Sequence, residues 1–175
     1  NGKVDIGHIL VADPCFDWGS GKWIETHDKK RGVAFRPAPY QWRLDQKLKA
    51  EIEATAATPG LLSEMRMSFP GRRADKEPCV KVEAMASGGS VLQAKMLMSD
   101  VRDQHKNVVG VDMEIYGVFT AASQATEPRP QCFALKAVCD FGEDDKTDQY
   151  QPYAAYCSAK FLYSFALLKL ERREE

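Results

Sequence analysis

The sequence predicts an α/β layered domain with at least part of its sheet parallel. Two observations predict it. Short runs of aliphatic and β-branched residues alternate with helical stretches along the chain, and the C-terminal segment carries one long apolar stripe at helical spacing. A length of 175 residues, 44% apolar and 28% charged, suits one hydrophobic core.

Val4 to Ala12 (VDIGHILVA) closes at Asp13-Pro14 and predicts a buried strand. Cys15 to Trp23 reads as a glycine-punctuated loop between aromatics. Lys29-Lys30-Arg31 reads as a solvated turn before a strand at Val33 to Phe35, and Pro37 and Pro39 then break the chain. Leu44 to Ala57 spaces Leu44, Leu48 and Ile52 at helical intervals with charges between them, the pattern of an amphipathic surface helix. Residues 58–78, marked by Pro59-Gly60 and Pro70-Gly71, read as a surface excursion.

Cys79 to Ala86 predicts a second apolar strand, ending in Ser87-Gly88-Gly89-Ser90, with a helix from about Val91 to Arg102. Asn107 to Asp112 is a third strand and Met113 to Ser123 a helix. Cys132 to Val138 is a fourth strand, running into Cys139-Asp140-Phe141-Gly142. The last helix starts near Thr147-Asp148 with Pro152 in its first turn, where a missing amide hydrogen is harmless. Its stripe is Ala154, Cys157, Phe161, Phe165 and Leu168.

Composition excludes several functions. Lys and Arg number 24 against 25 Asp and Glu, a net charge of -1 without a basic stripe, which argues against nucleic-acid or anionic-membrane binding. Phe161 to Leu168, the longest apolar run, is far below the ~20 residues that span a bilayer. The first residues lack the cationic-then-apolar pattern of a secretory signal. Five widely spaced cysteines suit a reducing cytoplasm better than a disulfide framework. With no Cys-x-x-Cys and with His8, His27 and His105 isolated, neither a metal site nor a cofactor is expected.

Ligands of such sheets bind at the carboxyl ends of strands. Ser87-Gly88-Gly89-Ser90, Asp112-Met113-Glu114 and Asp140-Phe141-Gly142 stand at predicted strand ends. Glycines let backbone approach a ligand closely, and two carboxylates in different surroundings can divide roles, one neutral and donating, one ionised. An acid just after a strand is most often a helix cap or turn former, and spacing alone leaves the functional reading open beside it. Gly19-Ser20-Gly21-Lys22 hints at a phosphate loop. Phe16 and Trp23 replace the residues that motif needs, so only Lys22 remains, as an anion contact.

Read together, Gly7-His-Ile-Leu-Val-Ala-Asp13, Ala86-Ser-Gly-Gly-Ser-Val91, Val111-Asp-Met-Glu-Ile115 and Lys136-Ala-Val-Cys-Asp140 resemble the nucleoside phosphorylase/nucleosidase superfamily, in its order and spacing. Asp148 to Ala159 resembles the superfamily's last helix. With Trp18-Gly-Ser-Gly-Lys22, it is most similar to phosphorylase-like domains of bacterial signalling and anti-phage defence proteins. The resemblance implies a three-layer sandwich with a central mixed sheet, and cleavage of the N-ribosidic bond of a purine nucleoside or nucleotide by hydrolysis or by phosphorolysis with phosphate.

It further implies Asp140 as proton donor to the base and Glu114 as the residue holding the ribose hydroxyls. Met113 would pack on the sugar, Val91 and Leu92 would meet the base, and Ser87, Gly88 and Lys136 would line the substrate site. For ATP, Lys22 and the Lys29–Arg31 cluster would be triphosphate contacts. Three departures stand out: Val91 replaces a frequent aromatic, Gly89 a frequent Asp, and Lys136 an Arg that several members carry. The superfamily's first strands precede the match to Gly7, so residues 1–175 resemble a single partial domain, its N-terminal strands missing, with little turnover expected in isolation. Relatives imply a homo-oligomer. The alternative is a non-catalytic nucleotide-binding sensor or assembly module.

Overall fold

The computed structural model describes residues 4–26, 32–90, 95–141 and 148–171. A mixed sheet of five strands forms the centre: β1 (Ile9–Asp17), β4 (Gln41–Trp42), β5 (Val80–Ser87), β6 (Val108–Asp112) and β7 (Leu135–Ala137). A separate hairpin pairs β2 (Gly21–Glu25) with β3 (Val33–Pro37). The helices are α1 (Gln46–Ala56), α2 (Leu61–Ser68), α3 (Lys95–Gln104), α4 (Ile115–Gln124) and α5 (Gln151–Glu171), the last preceded by a 3-10 turn at Asp148–Tyr150.

β1 is the axis of the sheet. One edge pairs parallel with β5, which pairs parallel with β6. Its other edge pairs antiparallel with β7 at Ile9–Val11 and with β4 at Cys15–Phe16. The strand does not stop at Asp13-Pro14, as proline's missing donor suggests, but continues to Asp17. The ladder with β5 shifts register between Ala12 and Cys15, a bulge that accommodates the proline. The predicted start at Val4 also moves, because Ile6-Gly7 forms a turn and Gly7 has φ 83°.

Alternation along β1 divides two faces. Ile9 and Val11 point to a core built with Leu48 and Ile52 of α1, Met65 of α2, and Tyr153, Cys157, Phe161 and Phe165 of α5. Leu10, Ala12 and Cys15 point the other way, to Met85, Val138 and α4 residues Ile115 and Phe119. Helices on both faces make the three layers. α1 is positioned by Asp45, whose carboxylate accepts from Leu48 N at 2.9 Å, and is joined to α5 by Lys169–Glu51 at 2.6 Å.

Residues 58–78 are more than a surface excursion: they contain α2 and contribute buried Met65 and Ala74 to the core. Cys15 to Trp23 is not one loop, since β1 takes its start and β2 includes Lys22 and Trp23. The strand predicted over Cys132 to Val138 contracts to Leu135–Ala137.

Gly7 is required at its position. Its φ is positive, and an added Cβ would stand 2.6 Å from Cε1 of fully buried Tyr153. Gly7→Ala combines left-handed strain with overpacking, and urea denaturation is expected to show a loss of about 3 kcal/mol. An unchanged midpoint would mean that Tyr153 moves freely.

Candidate active site

The ends of β5 and β6 are locked together by a small polar network. Asp112 Oδ1 accepts from Glu114 N at 2.8 Å and Ile115 N at 2.6 Å, which starts α4 immediately after β6. Ser87 Oγ lies 3.3 Å from the same oxygen as donor and accepts from Tyr116 N at 3.1 Å. Gly88 N donates to Asp112 O at 3.2 Å. Ser87 is buried and its hydroxyl is committed to the protein, so it positions neighbours. Asp112 was singled out only as part of its motif, yet it orients everything here.

Met113 and Glu114 project from this network into solvent, with Met113 44% exposed. The positive end of the α4 dipole lies at Glu114, a favourable surrounding for a carboxylate and for an anion nearby. Lys136 comes from β7 and donates from Nζ to Val111 O at 3.3 Å. That bond reaches from one edge of the sheet to β6, across the face where Leu10 also approaches Gly110.

Asp140 arrives differently from the strand-end expectation. Because β7 is antiparallel to β1, Asp140 follows the end that lies beside Gly7 and His8, through Gly7 N to Val138 O at 2.8 Å and Val138 N to His8 O at 2.9 Å. Ser87 and Asp112 lie at the other end, in register with Asp17. The same face still connects the two acids: Val138, two residues before Asp140, and Ile115, one after Glu114, belong to one apolar cluster. Phe141, beside Asp140, is 50% exposed, so each acid has an exposed apolar neighbour.

Asp140 is half-buried, and Cys139 Sγ donates to its Oδ2 at 3.3 Å. Burial first, then this bond and the Asp140 charge, push the Cys139 thiol up.

Lys22 lies in exposed β2, away from the strand-end network in sequence and in sheet. Val91 and Leu92, the Lys29–Arg31 cluster and the acidic run Glu143–Asp145 lie outside the described residues. Two charged residues that sequence reasoning missed share the Leu10 face by register: Lys81 pairs with Leu10, and Glu83 with Ala12. Their signal was the strict alternation in Val80-Lys-Val-Glu83. A cavity of about 180 Å³ lies elsewhere, between α1 and α5, lined by Lys47, Glu51, Thr55, Gln131 and Phe165 among others.

Among the described residues, no group of three His, Cys, Asp or Glu could hold a metal, and no helix is long and apolar enough to cross a membrane.

Comparison with solved structures decides the fold. The 5'-methylthioadenosine/S-adenosylhomocysteine nucleosidase of Neisseria meningitidis, in complex with methylthio-immucillin-A, superposes with a TM-score of 0.64 at 16% identity, over 95% of this chain and 64% of that one. The chain has the fold of the nucleoside phosphorylase/nucleosidase superfamily. No family model matches. An uncharacterized protein of Sinorhizobium fredii, y4jS, is 33% identical over 171 residues, 98% of this chain and 40% of that protein. The ATP nucleosidase Cap17 of Escherichia coli is 22% identical over 168 residues, 90% of this chain and 32% of that protein. The nucleosidase-fold chain thus spans well under half of the curated relatives it matches.

The Asp140 end of this nucleosidase fold contains a buried titrating group. His8 Nδ1 accepts from Asp5 N at 3.1 Å and lies 3.3 Å from Cys79 Sγ. Burial holds His8 below its ordinary 6.5, against the opposing Asp5 charge and with help from Lys81 and Lys76. A lowered folded pKa means that the neutral ring's contribution is complete above 6.5 and is lost as pH falls through the lowered value. The thermal midpoint is expected to fall as pH drops below 6.5, and His8→Gln should flatten that slope. An identical slope in the variant would assign the titration to another group.

Proposed function

We propose that this site cleaves the N-ribosidic bond of a purine nucleoside or nucleotide. As the bond from C1′ to the base breaks, its electron pair passes to the base and positive charge builds on the sugar ring. Asp140 donates a proton to the base nitrogen, which makes the leaving group neutral. Phosphate, or water that releases one proton to solvent, then adds at C1′. Glu114 accepts from the ribose 2′- and 3′-hydroxyls, and its charge favours the cationic sugar more strongly in the transition state than in the ground state.

One observation carries this reading: Val138, two residues before Asp140, and Ile115, one after Glu114, belong to a single apolar cluster on one side of the sheet. The exposed Met113 beside Glu114 suits the sugar, and the exposed Phe141 beside Asp140 suits a flat base. Lys136, held at Val111 O, adds positive charge near the ligand. For a 5′-phosphorylated substrate, Lys22 supplies a phosphate contact. The likeness to nucleosidases, including one named for ATP, supports the same chemistry.

Homo-oligomerisation belongs to this reading: Leu162, Tyr163, Leu167 and Leu170 leave an apolar outer face on α5.

Chromatographic detection of free base from adenosine, inosine and ATP tests the activity. Glu114→Ala is expected to lower kcat/KM by about 100-fold or more, with most of the loss in kcat. Full activity in Glu114→Ala would refute its role, and purine binding without any product would identify a non-catalytic nucleotide-binding module.

A further inference from the structure

Lys47, Glu51 and Thr55 follow one another at intervals of four residues, so they share one face of α1. α5 sets Phe165, Leu168 and Lys169 against that face, and the cavity of about 180 Å³ lies between the two helices. Thr55 and Phe165 line it although they are only 2% and 4% exposed, so its floor lies deep between the helices. The Lys169–Glu51 ion pair joins its two walls, with both side chains mostly covered.

Charge and shape together specify an occupant. The Thr55 hydroxyl donates to Glu51 O at 3.0 Å, and the Glu51 carboxylate is neutralised by Lys169 at 2.6 Å. Lys47 and the Gln131 amide also line the cavity, and among the described residues neither has a hydrogen bond or an ion pair. One positive charge is therefore uncompensated, with free amide donors in the same lining. Lys169 Nζ lies 5.7 Å from the Phe165 ring centroid, so a cation and an apolar surface adjoin. An apolar cavity of roughly 150 Å³ accepts benzene, so the space here suits one six-membered ring or a branched chain of that size.

We infer that the cavity between α1 and α5 binds a compact organic monocarboxylate. Its apolar body packs on Phe165 and Leu168, and its carboxylate accepts from Lys47, with further donors on Lys169 and Gln131. A single negative charge matches the single uncompensated lysine. The site belongs to the side of the sheet where Ile9 and Val11 meet α1 and α5, opposite the cluster of Ile115 and Val138. It is therefore a second site, and the inference does not depend on the purine-cleaving reading.

Calorimetric titration of the protein with benzoate, benzyl alcohol and inorganic phosphate tests the inference. Benzoate is expected to saturate one site and to bind at least about tenfold more tightly than either of the others, as a charge-assisted contact to a partly covered lysine allows. Lys47→Gln should weaken benzoate by about fivefold and leave benzyl alcohol unchanged. Leu168→Trp, which fills the cavity, should remove the binding of both ring compounds. If Leu168→Trp fails to fold by circular dichroism, the selective loss in Lys47→Gln carries the test, since a merely structural change would weaken both ring compounds together. Non-saturable benzoate binding, phosphate binding as tight as benzoate, or full benzoate affinity in a folded variant overturns the inference.

Discussion

Asp140→Asn is expected to slow purine release by roughly 10²–10⁴-fold, the range typical for loss of a general acid. The loss should fall mainly on kcat, because an amide of the same shape fills the same space but has no acidic proton to give. Substrates whose base leaves readily without protonation should be much less affected. That contrast separates loss of proton donation from distortion of the site. Equal losses on good and poor leaving groups would make Asp140 a positioning residue. The half-buried carboxyl beside Cys139 and the exposed Phe141 ring are consistent with a proton donor at the rim of a flat-ligand site.

Asp13→Ala is expected to produce a large loss of stability, comparable with that of Gly7→Ala. The Asp13 side chain is 1% exposed and sits where β1 bulges past its proline. It accepts from Arg43 Nε at 2.7 Å, Lys49 Nζ at 3.2 Å and Leu44 N at 3.3 Å. These bonds join the central strand to the start of α1. Removing the carboxylate strands the buried Leu44 N–H and releases Lys49, while Arg43 is largely solvated and counts for little.

The expected cost is about 3 kcal/mol, or ~6–12 °C in thermal midpoint for a chain of this size. Burial alone would raise the Asp13 pKa. The Arg43 and Lys49 hydrogen bonds, the Arg43 charge and the Leu44 N–H outweigh it and hold the carboxyl below its ordinary 3.8. A lowered folded pKa adds stability above 3.8 that disappears as pH falls through the lowered value. Asp13→Ala should therefore be destabilised at neutral pH and converge on the parent in strong acid. A constant gap across pH would show that the charge itself contributes nothing.

Periodic features were the most legible in the sequence. The Leu44, Leu48, Ile52 spacing marks α1 because each of those residues must face the same core, and the Ala154 to Phe165 stripe marks α5 for the same reason. The path of β1 through Pro14 was hidden, since proline's usual effect is overridden by the flanking pairings to β5 and β4. α2 was obscured by charges: only Met65 of its residues is buried. Strand direction is not encoded in a strand's own composition, so the antiparallel run of β7, and with it the route by which Asp140 reaches the site, came only from pairing.

At the site, Asp112-Met113-Glu114 was visible as a motif, but its division of labour was not. Asp112 and Ser87 turn inward to hold the start of α4, which leaves Glu114 to face outward.

A double-mutant cycle on adenosine affinity, combining Glu114→Ala with Asp140→Ala, most directly asks whether both carboxyls grip one ligand. Each single change should weaken the dissociation constant, and the pair should depart from additivity by at least about 0.5 kcal/mol, as groups sharing a bound molecule do. Strict additivity, or an affinity untouched by either change, would place the two acids in unrelated surroundings and contradict the account.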